Sequence, residues 1–274
     1  MKTSQPVHLK PGDIVILGVP SDENSTFMRG SAKAPPLIRK ALHCGSSNLF
    51  SEFGLDLGKA DQFQDIGDLE LKNGTEGFGQ IVASVSDLVS KDVKPLILGG
   101  DHAITYPVLK VIGAKYKNLN ILHFDAHPDL YDHFEGNKLA HACPFARIME
   151  EKLAGRLVQV GIRTLNDHQK KQSVRFNTEI IEARDIEANI NFNFDGPLYI
   201  SLDIDVLDPA FAPGISHHEP GGLSVREVLT IIQNIEVPII GADIVEYNPD
   251  RDINDMTAMV AAKFLKELAG KMLT

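Results

Sequence analysis

The sequence predicts an α/β protein, a three-layer αβα sandwich built on a mostly parallel sheet of about eight strands. Two observations support this prediction: short runs rich in Ile, Val and Leu recur along the chain, and segments of helical character separate them. Several runs are apolar at nearly every position, as is typical of strands that helices cover on both faces. The 274 residues suffice to bury a large core, and we expect one domain over residues 1–274.

The predicted strands are spread over most of the chain. Their sequences and positions are DIVILGV (13–19), DQFQDIG (61–67), KPLILGG (94–100), NLNILHFD (118–125), RLVQVGI (156–162), NTEIIEA (177–183), GPLYISLD (196–203) and VPIIGADIVE (237–246). The second and sixth runs are the least strand-like, because polar residues interrupt them most often.

Local signals place two helices and three loops. Ser224 and Glu227 have the spacing of a capping box, which predicts a helix that continues through Ile232. Apolar residues at every fourth position predict a C-terminal helix with one apolar stripe, formed by Met256, Val260, Phe264, Leu268 and Met272. We interpret that stripe as core or subunit contact. Long irregular stretches predict binding loops at 45–60, 126–141 and 206–223.

Charge and composition narrow the class of partner. The formal net charge of −10 argues against a nucleic-acid partner or an anionic membrane surface, and it favours a small cationic ligand. The two cysteines, Cys44 and Cys143, are too few for a disulfide framework. The opening MKTSQPVHLKPGD lacks the apolar stretch of a signal peptide, and no apolar run approaches the roughly 20 residues of a membrane helix. We therefore expect a cytoplasmic protein.

Three of the predicted strands end in acidic residues and histidines. Because the carboxyl ends of parallel strands meet at one edge of a sheet, these side chains are expected to converge. A buried carboxylate is costly unless it is paired, hydrogen-bonded or bound to a metal. The sequence therefore predicts a metal site, with His102, Asp125, His127, Asp129, Asp203 and Asp205 as candidate ligands.

The charge of this set indicates two metal ions. Its four carboxylates carry a formal −4, which two divalent ions neutralise, whereas one ion leaves −2 in a poorly solvated cleft. Oxygen-rich ligation with two imidazoles and no thiolate favours Mn²⁺, although Fe, Co, Ni and Zn also accept such ligands. Since a pair of divalent ions can bridge and activate one water, the predicted chemistry is metal-assisted hydrolysis.

Simpler interpretations apply to several nearby residues. His123 shares a strand face with Asp125, and we interpret it as a buried neighbour of the ligands rather than a seventh ligand. Asp101 is expected to cap the following helix or to orient a ligand histidine, and Cys143 is expected to serve packing. Gly99 and Gly100 suggest a close approach of backbone at a strand end.

Five motifs resemble, in order and spacing, the arginase and agmatinase superfamily of ureohydrolases. They are GGDHAITYP (99–107), HFDAHPDLYD (123–132), SLDIDVLDPAFAPG (201–214), EPGGLSVRE (219–227) and GADIVEYNP (241–249). The plant-type arginase branch is the most similar, through HCGSSNLFSEFG (43–54), HFEGNKLAHACPFARIMEE (133–151) and GISHHEPGGLS (214–224). The resemblance covers most of the chain and implies an arginase-like fold that assembles as trimers or hexamers.

The resemblance also implies a role for each site residue. One manganese would be held by His102, Asp125, Asp129 and Asp203, and the other by Asp125, His127, Asp203 and Asp205. A hydroxide bridging the two ions would attack the substrate, with Asp129 in contact with it. His141 would act as proton shuttle, a role that suits a histidine because its side chain titrates near neutrality. Glu246 would bind the guanidinium group of the substrate, which a planar carboxylate can orient.

The substrate tail is less constrained by the motifs. Animal-type arginases place an Asn and an Asp where this sequence has Tyr131 and Asn166, while Asn137 and Lys138 offer an amide and a cation to a carboxylate. We expect hydrolysis of L-arginine to L-ornithine and urea, with agmatine or another guanidino or formimidoyl compound as the alternative. A single-zinc deacylase and a non-catalytic metal-binding protein are the alternatives from other classes.

Overall fold

The computed structural model describes residues 8–187 and 190–274, and within these ranges the chain forms one sheet of eight parallel strands. The strand order is β2-β1-β3-β8-β7-β4-β5-β6. The strands are β1 (Ile14–Val19), β2 (Phe63–Asp68), β3 (Lys94–Gly99), β4 (Asn120–Phe124), β5 (Arg156–Ile162), β6 (Glu179–Glu182), β7 (Leu198–Asp203) and β8 (Ile239–Val245). The eight predicted strands are thus confirmed. Residues 1–7 of the opening stretch lie outside the described ranges.

Helices cover the two faces of the sheet. The α-helices are α1 (Ala34–Leu42), α2 (Gly74–Ser90), α3 (Thr105–Lys115), α4 (Pro144–Glu150), α5 (Asp167–Phe176), α6 (Val225–Gln233) and α7 (Met256–Leu273). One apolar core lies between the sheet and α1, α6 and α7, and a second lies between the sheet and α2, α3 and α4. The three-layer αβα architecture is therefore confirmed.

Strand position explains why two runs were weakly apolar. β2 and β6 are the edges of the sheet, and each of their residues is at least partly exposed to solvent. The strands β1, β4, β7 and β8 are buried at every position, as their continuous apolar sequences require.

Both predicted helices form. The side chain of Ser224 accepts a hydrogen bond from the backbone of Glu227, and the Glu227 carboxylate accepts from the backbone N–H of Ser224, so α6 begins with a complete capping box. In α7, Phe264, Leu268 and Met272 are buried, whereas Met256 in the first turn is 47% exposed. The apolar stripe thus belongs mainly to the core. None of the helices within residues 8–187 and 190–274 is both long and apolar enough to span a bilayer.

The sheet topology leaves a natural place for a ligand. β3 and β4 follow one another in sequence, yet β8 and β7 lie between them in the sheet. Ligands of open parallel sheets bind at such a reversal of strand order, beyond the carboxyl ends of the strands. A Cβ atom on Gly100 would lie 1.7 Å from the carbonyl oxygen of Ser21, so only glycine lets the 21–30 segment pack against the end of β3. The predicted close approach is confirmed.

Candidate active site

The candidate metal ligands meet at the carboxyl ends of β3, β4 and β7. The Nδ1 atom of His102 lies 3.2 Å from a carboxylate oxygen of Asp125, 3.2 Å from one of Asp129 and 3.1 Å from one of Asp203. All four side chains are buried. The segment after β3 thus supplies the imidazole, and the segment after β4 and the end of β7 supply the three carboxylates around its Nδ1 atom.

A second group adjoins the first through Asp125. The Nδ1 atom of His127 lies 3.3 Å from Oδ1 of Asp125 and 3.0 Å from Oδ2 of Asp205, whereas His102 faces Oδ2 of Asp125. The two oxygens of one carboxylate therefore face two separate histidines. His127 is the more accessible of the two histidines, because it is half-buried and lines an open pocket.

The donor set fits metal ions. His102 Nδ1 is buried and makes no hydrogen bond of acceptable geometry, although three carboxylate oxygens surround it. Its other nitrogen, Nε2, lies 2.9 Å from the hydroxyl of Ser201. A nitrogen surrounded by three carboxylates is stable only when it carries a proton or binds a cation. The described His and Asp side chains, including Asp125, His127 and Asp205, could hold such an ion.

Electrostatics within the cluster also call for added positive charge. Burial and neighbouring carboxylates raise the pKa of Asp203 and of Asp205, and they raise the pKa of Asp129 to about 6. Although burial opposes it, the surrounding carboxylates hold the pKa of His102 and of His127 well above the usual value. The cluster therefore binds protons where a cation would otherwise compensate its charge.

His123 lies beside this cluster without a free lone pair. It is completely buried, and its Nε2 lies 2.8 Å from Oδ2 of Asp125, while its Nδ1 lies 2.8 Å from the amide nitrogen of Gln159. Gln159 also donates to the carbonyl of Pro128 at 2.6 Å, which fixes the orientation of its amide group. Burial lowers the pKa of His123 to about 4, so this neutral ring accepts from Gln159 and donates to Asp125. Its proximity to His102 alone would suggest a ligand, but both nitrogens are already used.

His141 and Glu246 form a buried pair next to the cluster. His141 Nδ1 lies 2.7 Å from Oε1 of Glu246, and the same oxygen accepts from the backbone N–H of His102 at 2.9 Å. Although burial opposes it, Glu246 raises the pKa of His141 to about 9. The hydroxyl of Thr26 lies 2.8 Å from the remaining nitrogen, Nε2.

Backbone strain marks two positions at this site. Asp129 has a φ of 50° and Glu246 a φ of 64°, and both values lie in the left-handed region that non-glycine residues seldom occupy. Such conformations persist where the surrounding structure holds them, and they are frequent at functional sites. Glu246 is held by its backbone N–H, which donates to the carbonyl of Gly100 at 2.9 Å.

Asp101 connects an unpredicted segment to the site. Its carboxylate accepts from the backbone N–H groups of Asn24 and Ala103, at 3.0 and 3.2 Å. The predicted capping role of Asp101 is confirmed, and the same side chain holds the 21–30 segment, including Thr26, over the pocket. No local sequence signal identified Thr26.

The pocket next to the cluster has a volume of about 230 Å³. Its lining includes the predicted residues His127, Asp129, His141, Asp203, Asp205, Glu246 and Tyr131. It also includes residues that no motif indicated as site residues, namely Thr26, Phe134, Ala142, Thr164, Gln169 and Glu219. His217 completes the wall, with its ring 5.6 Å from that of His127 and 5.3 Å from that of His141. The prediction of a binding loop over 206–223 could have led to Glu219.

Of the four predicted substrate-tail residues, only Tyr131 lines the pocket. Tyr131 lines the pocket, and its hydroxyl accepts from the side chain of Asn166 at 2.5 Å. Asn166 itself caps α5 and does not line the pocket. Asn137 and Lys138 are exposed and outside the lining, and the Asn137 amide donates to the side chain of Asn24 at 3.1 Å.

A sequence model described as the Arginase family matches residues 12–270. The chain belongs to the arginase family. It is 46% identical over 280 residues to "Arginase 1, mitochondrial" of Arabidopsis thaliana, an alignment that covers 94% of this chain and 80% of that protein. It is 32% identical over 263 residues to the agmatinase of Bacillus cereus, covering 93% and 90% of the two chains. Among solved structures, the arginase from Medicago truncatula has a TM-score of 0.88 at 42% identity, covering 95% of this chain and 87% of that one.

Membership of the arginase family decides between the classes of function. The chain is a ureohydrolase, an enzyme that acts on guanidino substrates. The alternatives of a single-zinc deacylase and of a non-catalytic protein are therefore wrong.

Proposed function

We propose that this arginase-family enzyme hydrolyses L-arginine to L-ornithine and urea, as one ureohydrolase domain with two Mn²⁺ per subunit. The observation that carries the proposal is the buried His102 nitrogen among three carboxylates, directly beside the paired His141 and Glu246. The Arabidopsis relative that is 46% identical to this chain is named an arginase, which favours arginine over other guanidino compounds.

In the proposed centre Asp125 and Asp203 would each serve as ligands of both ions. The ligands of one ion would be His102, Asp125, Asp129 and Asp203, and those of the other Asp125, His127, Asp203 and Asp205. When bound, such a pair of divalent ions supplies an activated water as nucleophile. The chain itself contributes a site in which the facing oxygens of Asp125 already point to both histidines.

Glu246 would bind the guanidinium group. Glu246 is 4% exposed, so a charged hydrogen bond formed by its carboxylate has little competition from water. His141 would transfer a proton to the departing amine, because a resonance-stabilised guanidinium yields its amine only in protonated form. The hydroxyl of Thr26 and the carboxylate of Glu246 hold both nitrogens of His141, which limits rotation of the ring.

Agmatine is the second candidate substrate, and one observation favours it. Within the described residues, the pocket lining contains Glu219 and no Lys or Arg. Such a lining suits the terminal ammonium of agmatine, whereas the α-carboxylate of arginine would depend on Tyr131, backed by Asn166, and on Asn137 and Lys138 at the surface. These contacts with the substrate tail are part of the proposal.

Urea release from L-arginine and from agmatine, measured after loading with Mn²⁺, tests the proposed reaction. The proposal expects a higher kcat/KM for arginine, and a clear preference for agmatine would replace the first candidate with the second. Replacing Lys138 with Met is expected to raise KM for arginine and to leave KM for agmatine unchanged. Equal effects on the two substrates would remove Lys138 from carboxylate binding.

Three further parts of the proposal are tested separately. Elemental analysis of the purified enzyme is expected to find two manganese ions per chain after reconstitution, and native mass spectrometry is expected to find trimers or hexamers. Fluorescence imaging of the tagged protein tests the predicted cytoplasmic location, which contrasts with the mitochondrial name of the Arabidopsis relative.

A further inference from the structure

A row of buried polar side chains crosses the sheet one layer below the candidate metal ligands. Ser201 on β7 and Asp243 on β8 occupy paired positions in neighbouring strands, and both are completely buried. Each lies two positions before a strand end, in the SLDID and GADIVE motifs. Buried polar side chains at paired positions need mutual hydrogen bonds, and these connect directly to His102.

Asp243 accepts hydrogen bonds from three hydroxyl groups. Its Oδ1 lies 2.7 Å from the hydroxyl of Ser201, and its Oδ2 lies 2.8 Å from that of Tyr199 and 2.9 Å from that of Thr105. Since a carboxylate has no proton to give, all three hydroxyls donate to it. The single hydroxyl proton of Ser201 is therefore committed to Asp243.

This commitment determines the tautomer of His102. The Ser201 oxygen, having donated its proton, must accept from His102 Nε2, which lies 2.9 Å away. The Nε2 atom then carries the ring proton of the neutral imidazole, and the lone pair is left on Nδ1, among the carboxylates. The ring is also in edge contact with Phe145, at 5.3 Å and an interplanar angle of 90°.

We propose that Asp243, acting through Ser201, is a positioning residue that holds His102 in the tautomer able to bind a metal ion. The inference rests on the proposed metal centre. Asp243 touches neither substrate nor the proposed ions, and its effect passes through a single chain of hydrogen bonds. In that chain each group has a fixed role as donor or acceptor, so a substitution that reverses the roles has an effect that a simple loss of stability would not produce.

The informative variant is Asp243→Asn. The amide oxygen is expected to face Tyr199 and Thr105, because both hydroxyls there need an acceptor, so the amide N–H₂ faces Ser201. Ser201 then donates to His102 Nε2 and the ring proton moves to Nδ1, where it opposes a metal ion. Mutation of a group that orients a metal ligand typically weakens metal affinity by about 10- to 100-fold. We expect the Kd for Mn²⁺ to rise by that factor.

Two further variants separate this relay from a structural effect. Ser201→Ala removes the relay, so it is expected to weaken Mn²⁺ binding less than Asp243→Asn, and the double variant is expected to bind as Ser201→Ala does. Tyr199→Phe is the matched control, since it removes a hydrogen bond from the same carboxylate without touching Ser201, and its Kd is expected to stay within about threefold of wild type.

Isothermal calorimetry with Mn²⁺ on the metal-free full chain provides the measurement. Additive losses in the double variant, or an Asp243→Asn affinity within threefold of wild type, would overturn the relay. If Asp243→Asn does not fold, Ser201→Ala against Tyr199→Phe decides, and equal affinities would refute the proposal. Absence of Mn²⁺ binding by the wild type would instead refute the proposed metal centre, and the two failures are therefore distinguishable.

Discussion

Replacing Glu246 with Gln tests how the enzyme binds the guanidinium group. The side chains have the same shape, and the Gln oxygen can still accept from the backbone N–H of His102, so the fold should persist. What disappears is the negative charge of a residue that is only 4% exposed. Removing one partner of a buried, hydrogen-bonded charge pair costs about 2–5 kcal/mol, or about 30- to 5,000-fold in kcat/KM.

Steady-state urea release with both substrates measures this loss. Arginine and agmatine share the guanidinium group, so Glu246→Gln should reduce kcat/KM for both by the same factor within about threefold. Manganese content should match the wild type, because Glu246 is not among the proposed ligands. A variant that keeps kcat/KM within tenfold of wild type at equal metal content would refute the assignment of Glu246.

Three other predictions concern residues around the pocket and the close packing at the end of β3. Thr26→Val removes the hydroxyl that lies next to His141 Nε2. The lost hydrogen bond is worth about 1 kcal/mol, so we expect kcat in the urea assay to fall about fivefold while KM stays unchanged. An unchanged kcat would show that Thr26 does not orient the ring. Burial raises the pKa of Cys143 to about 12, so about one Cys143 thiol in 10,000 is ionised at pH 8. After alkylation of the native protein, mass spectrometry should therefore find Cys44 labelled and Cys143 unlabelled. Equal labelling would contradict the burial of Cys143. Gly100→Ala places a Cβ atom against the Ser21 carbonyl, and we expect it to lower the free energy of unfolding by about 1–3 kcal/mol, or Tm by about 2–10 °C in calorimetry. In the control Gly45→Ala the new Cβ meets no atom within 4 Å. Equal changes in Tm for the two variants would refute the packing argument.

The strand ends could be predicted because their physics is local. Apolar runs that stop at acidic residues and histidines indicate buried strands with chemistry at the carboxyl end, and this pattern alone predicts that Asp125 and Asp203 share one cluster. The edge strands were harder to recognise. An edge strand packs less of its surface, so its sequence retains polar residues such as those of β2.

Contacts that depend on register or on loop packing were beyond the sequence. The link from Asp243 to Ser201 requires knowing that β7 and β8 are neighbours and which residues pair. Thr26 reaches the pocket because Asp101 holds the 21–30 segment, and this contact joins Asp101 to Asn24, which is 77 residues away in sequence. Asn137 and Lys138 precede His141 closely in the chain, yet both are exposed and neither is among the residues that line the pocket.

The distribution of the proposed metal ligands over the ends of β3, β4 and β7 has a consequence for biosynthesis. Asp203 emerges from the ribosome long after His102 and Asp125, and β8, which is synthesised later still, lies between β3 and β7, so the carboxylates can surround one nitrogen only after both β7 and β8 have joined the sheet. Pairings between such distant segments form late, since their loop-closure entropy must be met first. A nascent chain therefore has no finished cage for a stray cation. On the proposed ligand set, a complete site for an ion exists only after β7 and β8 have joined the sheet.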